Sequence, residues 1–112
     1  MSISRFFCTF ALQCKYLCFL IVMGKYLITY DLRKVGQNYG DLYQAIKDLG
    51  DWQHPLESTW VVNSNSSASQ IFDKLFALMD RNDSLFVIAV DNSQDHQGWL
   101  PKSFWEWFNK TM

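Results

Sequence analysis

Residues 24–34, GKYLITYDLRK, decide the reading of this chain. Tyr26, Ile28 and Tyr30 alternate with Leu27, Thr29 and Asp31, and a strand of period two puts the two sets on opposite faces. The run is rich in β-branched and aromatic residues, which favours a strand. It ends at a carboxylate, Asp31, followed at once by Arg33 and Lys34. Asp31 is therefore either a turn former bonding nearby backbone amides or a carboxylate held out at a strand end for chemistry.

Outward from this strand, RKVGQNYG is a loop with two glycines, and DLYQAIKDLG is a short amphipathic helix. Leu42, Ile46 and Leu49 share one face of that helix, and Gly50 supplies the stop. DWQHPLESTWVVNS reads as a strand pair or one bent strand. Pro55 cannot donate to a central ladder and marks a break or an edge. NSNSSAS is a polar turn in which Ser67 and Gln70 form a capping box. A second helix, SQIFDKLFALMDR, turns Ile71, Leu75, Leu78 and Met79 inward. NDSLFVIAVD is the most apolar strand and is expected at the centre of the sheet. NSQDHQG is a flexible loop, and PKSFWEWFNK is a short terminal helix carrying Phe104, Trp105, Trp107 and Phe108. The order β-α-β-β-α-β predicts an α+β domain of the split βαβ, ferredoxin-like kind, with an antiparallel sheet. Both main helices then cover one face, and the other is free for a second copy.

The chain divides into residues 1–23 and a domain over 24–112. With 112 residues, 49% hydrophobic and 17% aromatic, it can build one core and is not disordered in composition. The first segment, MSISRFFCTFALQCKYLCFLIVM, is apolar and free of acids. As a signal peptide it lacks a small-residue cleavage site. As a membrane helix it is interrupted by Lys15, short of about 20 apolar residues. A third reading is that residues 1–23 are not part of the natural domain, which then opens at Met23; membrane attachment through 1–23 and a true extra element are the alternatives. All eleven acids lie after Gly24, whereas Arg5 and Lys15 precede it, so the body is acidic although the whole chain carries −1. That balance disfavours simple phosphate binding. Cys8, Cys14 and Cys18 all fall in the first segment, so no disulfide framework places the body in an oxidising compartment, and a cytoplasmic location is expected. His54 and His96 are too far apart in sequence for a zinc motif.

Several residues bear on chemistry. A hard cation such as Mg²⁺ is held by one or two carboxylates plus water and phosphate, so Asp31 would need a partner carboxylate. Asp91 ends the last strand as Asp31 ends the first. Because those strands run antiparallel, the two carboxylates belong at opposite ends. Asp80 and Asp83 in DRND fit a turn. Lys25, Arg33 and Lys34 are the candidate phosphate contacts, and Tyr30, Tyr39 and Tyr43 are able to stack bases or to pack in a core. No phosphate-loop, dinucleotide or nucleophile-elbow motif is present, and no nucleophilic triad is supported.

The series YLITYDL, helix, W…ESTWVVN, and a helix ending MDRNDSLFVIAV resembles the small CRISPR-associated Cas-two family and its SinR-like and VapD-like relatives, the SinR-like branch most of all. The likeness runs from Lys25 to the last strand. It implies a ferredoxin-like fold and a homodimer built sheet to sheet. It also implies that Asp31, contributed by each subunit, flanks a Mg²⁺ in those members that are metal-dependent nucleases. Ser58 falls where the family carries a serine before its second strong strand. The arginine-rich surroundings that would hold nucleic acid are thin here. Two functions follow as expectations. One is a nucleic-acid-associated dimer, RNA or DNA, with Mg²⁺ at Asp31 as catalytic and metal-binding residue and Lys25, Tyr30, Arg33 and Lys34 as nucleic-acid contacts. The other is a non-catalytic dimerisation or adaptor module in a defence or toxin–antitoxin system, joined to a larger protein partner.

Overall fold

The structure, a computed structural model, describes residues 23–34 and 38–110. The expected N-terminal extension, Met23 apart, and its three cysteines lie outside the described residues. Among the described residues seven elements follow one another: β1 (Gly24–Asp31), α1 (Gly40–Lys47), β2 (Asp51–Leu56), β3 (Thr59–Ser64), α2 (Ala68–Phe76), β4 (Ser84–Val90) and α3 (Lys102–Phe108). The four strands form one sheet in the order β2-β3-β1-β4, and all neighbours are antiparallel. The fold is therefore α+β with one antiparallel sheet. Among the described residues no helix is long and apolar enough to cross a membrane.

The period-two reading of β1 holds. Tyr26, Ile28 and Tyr30 face α1 and α2, where Ile28, Trp60 and Val62 of the sheet meet Leu42, Ile46, Ile71 and Leu75 of the helices. Complete burial of such a side chain stabilises by about 1.5–3 kcal/mol, so this layer carries the fold. The capping box is present: Ser67 Oγ accepts from the Gln70 amide at 3.1 Å and Gln70 Oε1 from the Ser67 amide at 2.9 Å. Pro55 lies on edge strand β2, beside a register irregularity between Gln53 and Leu56, as its missing donor requires.

Three expectations are corrected. The most apolar strand, β4, stands at an edge of the sheet and not at its centre. Leu78, expected inward, is exposed because α2 has ended at Phe76 and the helical period no longer applies. The second sheet face is not free. Lys25 lies opposite Val90, and Leu27 opposite Val61, so these four side chains share that face. There α3 packs Phe104, Trp107 and Phe108 on Val61 and Val90. Trp107 Nε1 donates to Asp51 Oδ2 at 2.7 Å, pinning the helix to the first residue of β2.

Candidate functional site

Asp31 is the last residue of β1, opposite Ser84, the first of β4. It is exposed on the second face, at the rim of a shallow depression of about 270 Å³ lined by Thr29, Tyr30, Asp31, Ser84, Leu85 and Phe86. Arg33 grips one carboxylate oxygen of Asp31, with Nη2 at 2.7 Å and Nε at 3.1 Å. Both side chains are more than half exposed, so water screens the pair.

The chain just after Asp31 is positioned by a residue that sequence reasoning set aside as a turn former. Asp83 is 7% exposed. Its Oδ1 accepts from the Arg33 amide at 2.7 Å and its Oδ2 from the Asp80 amide at 2.9 Å. The Tyr39 hydroxyl, 2.9 Å from Oδ2, donates to the same carboxylate and accepts from the Lys34 amide at 3.3 Å. One carboxylate thus fastens the segment leaving β1, the residue before α1 and the turn before β4. Burial would raise the Asp83 carboxyl. The amides of Arg33 and Asp80, then the Tyr39 hydroxyl and the Lys34 charge, outweigh burial and hold its pKa below the ordinary value. Burial and the adjacent Asp83 carboxylate push the Tyr39 phenol up. The turn role expected of DRND is real too, since Asp80 Oδ2 accepts from the Asn82 amide at 3.0 Å. A sequence signal for the wider role existed only in part: Tyr39 was legible as core or rim, but its pairing with a residue 44 positions away was not.

The other sequence candidates do not gather around Asp31. Lys25 sits near the opposite end of β1, 3% exposed. Its Nζ donates to the Lys110 carbonyl at 3.3 Å and lies over the Trp107 and Phe108 rings at 5.7 and 5.9 Å. It fixes α3 to the sheet and stands apart from Arg33 and Lys34. Lys34 Nζ is 3.7 Å from Asp80. Tyr30 points to the helix side, where its hydroxyl accepts from Trp60 Nε1 at 2.9 Å, and burial pushes its phenol up. Tyr43 extends this aromatic row, with its ring 6.3 Å from those of Tyr30 and Trp60. Ser58 serves through its carbonyl, which accepts from the Tyr30 amide at 3.2 Å. Asp91 lies at the Lys25 end, as antiparallel pairing requires, and its carboxylate caps the Ser93 amide at 2.7 Å.

A divalent cation fits poorly here with one chain. Among the described residues no three His, Cys, Asp or Glu side chains are grouped to hold a metal. Asp31 already bonds a guanidinium, and the rest of its depression carries no charge. A second, larger groove of about 910 Å³ runs between the second face and α3. Its walls are mainly apolar, with Asp91, Asp95 and His96 at its margin, and no nucleophile–base pair lines it. In comparisons with known proteins, no family model and no curated protein matches this chain.

Proposed function

We propose that this chain is a non-catalytic, homodimeric adaptor module of the ferredoxin-like class, acting in the cytoplasm in a defence or toxin–antitoxin setting. The observation that carries the adaptor reading is the surround of Asp31. Among the described residues Arg33 is the one basic side chain bonded to it, and the remaining walls are neutral or apolar. A phosphodiester site needs convergent positive charge, whereas Lys25 is spent on anchoring α3. The ferredoxin-like assignment is supported by the β-α-β-β-α-β order, by β1 and β3 inside the sheet, and by α1 and α2 on one face. The likeness of residues 25–90 to the SinR-like proteins supports it as well.

A second reading has one observation in its favour: Asp31 is exposed at a strand end, where another copy's Asp31 has access to it. On that reading Asp31 of each subunit would hold a Mg²⁺ able to polarise a phosphodiester and activate water, with Arg33 and Lys34 as phosphate contacts.

One preparation separates the two. Purified chain is incubated with single- and double-stranded RNA and DNA, with and without Mg²⁺, beside Asp31→Ala. The adaptor reading expects no Mg²⁺-dependent product from either protein. It also expects Asp31→Ala to change stability by no more than about 1 kcal/mol, since only an exposed ion pair is lost. Mg²⁺-dependent cleavage that disappears in Asp31→Ala overturns the adaptor reading in favour of the nuclease.

A further inference from the structure

The exposed apolar side chains are unevenly placed. β4 is an edge strand, and on the second face it exposes Phe86 and Ile88, at 57% and 43%. On its other face β4 packs against α2. That helix exposes Phe72 and Phe76, whose rings stack at 5.2 Å, and exposed Leu78 follows just after it. Most of the large exposed apolar residues thus belong to β4, to α2 and to the residues just after α2. Among the described residues the outer edge of β4 is also unguarded. Ser84–Val90, SLFVIAV, has no charge, proline or glycine, whereas edge strands in monomers usually carry such blocks against pairing.

We infer that β4 pairs antiparallel with β4 of a second copy, joining two four-stranded sheets into one of eight strands. The inference rests on the homodimer reading above and names its interface. The strand suits a twofold axis through Val87. Phe86 then lies beside Ile88 of the partner subunit, and Leu85 beside Ala89 of the partner subunit. An aromatic residue beside a β-branched one is a favourable cross-strand pair, and no charges meet within Ser84–Val90; one step beyond each strand end Asp83 faces Asp91 of the partner subunit, so the pairing stops at the strand ends. Flush packing of two second faces is obstructed, because α3 stands on that face. Whole aromatic side chains bury about 150–250 Å², so the exposed parts of Phe72, Phe76, Leu78, Phe86 and Ile88 offer roughly 400 Å² per copy. With the strand backbones added, this approaches the lower end of the roughly 1,200–2,000 Å² of a stable dimer. The arrangement has a consequence for Asp31. Two antiparallel β4 strands put the Ser84 ends, and with them the two Asp31 residues, at opposite ends of the ribbon. They stand roughly 20 Å apart along the strands at about 3.4 Å per residue, too far to share a cation.

The test uses the full chain in light scattering and in amide hydrogen exchange, at concentrations below and above dimer dissociation. A dimer is expected in which the outward amides of β4 slow as concentration rises. Phe86→Lys should weaken it tenfold or more, and Leu56→Lys, at the far edge on β2, should leave it unchanged. Melting of both variants checks that they fold. A dimer with concentration-independent β4 exchange, or one weakened equally by both variants, overturns the edge inference and leaves the dimer reading standing. A monomer at tens of micromolar overturns both.

Discussion

Asp83→Asn is expected to destabilise the protein by about 2–4 kcal/mol, although it changes one oxygen to one nitrogen. The two carboxylate oxygens accept from two different backbone amides, Arg33 on Oδ1 and Asp80 on Oδ2. An amide side chain must turn its NH₂ toward one of them, leaving two donors face to face in a buried place. Lost charge-assisted bonds together with an unsatisfied buried donor account for the size. For a domain of this length each kcal/mol moves Tm by about 4–8 °C, so the melting point should fall by at least about 8 °C. Tyr39→Phe removes one donor and leaves both amides bonded, so its drop should be smaller. The pH dependence follows from the same geometry. The native carboxyl titrates below its unfolded value of about 3.9, so it binds fewer protons folded than unfolded. Its stabilisation is complete above the unfolded pKa and is lost as pH falls through the lower native pKa. The parent should therefore lose stability below about pH 4 more steeply than Asp83→Asn. Denaturant melts at pH 7, 5, 4 and 3 check this, and parallel curves for the two proteins would remove Asp83 as the organiser of the site.

Asp83 also shows what a sequence conveys and what it withholds. DRND announces a turn, and the turn is there, because the Asp80 and Asn82 bonds are local. The bonds to Arg33 and Tyr39 span 50 and 44 residues. They exist only because β1 and β4 are neighbours in the sheet, which no local pattern encodes. Periodicity served well where burial is one-sided: Tyr26, Ile28 and Tyr30 separate from Leu27, Thr29 and Asp31 as the alternation requires. It misled at β4, where an apolar run on both faces was taken to mean a central strand. Hydropathy reports how much surface a strand needs covered, and says nothing about whether its own chain or another covers it. The same limit explains α3. FWEWF announced a buried aromatic helix, and the second face of the sheet receives it, but nothing in the spacing chose that face. Lys25, grouped with Arg33 and Lys34 by charge type, belongs with the aromatic helix instead. Its partners are a carbonyl and two ring faces from the last turns of the chain.

Gly50→Ala should be at least as damaging as Asp83→Asn, for a reason the sequence half revealed. A glycine after DLYQAIKDL reads as the stop of a helix. In the structure α1 ends at Lys47, and Asp48 keeps right-handed helical backbone as the C-cap. The glycine is needed one step later. Gly50 has φ +155 and leads into β2 beside β3, where an added Cβ would lie 2.1 Å from the Asn63 carbonyl oxygen. That atom belongs to the backbone of a paired strand, opposite both Asp51 and Lys25, so relief requires shifting the start of β2 against β3. Strain of this kind costs about 1–3 kcal/mol from the backbone conformation alone, and displacing the pair brings the expected total to about 3–5 kcal/mol. Gly40→Ala is the matched control. An added Cβ there meets the Asn38 side-chain oxygen at 3.1 Å; that oxygen accepts from the Gly40 amide at 2.9 Å, but it sits on an exposed side chain that needs to give only a few tenths of an ångström, and alanine favours the first turn of α1 by up to about 1 kcal/mol over glycine. Gly40→Ala should therefore melt within a few degrees of the parent while Gly50→Ala melts far below it. Equal melting of the two variants would mean that the close approach of Gly50 to β3 does not constrain the folded chain.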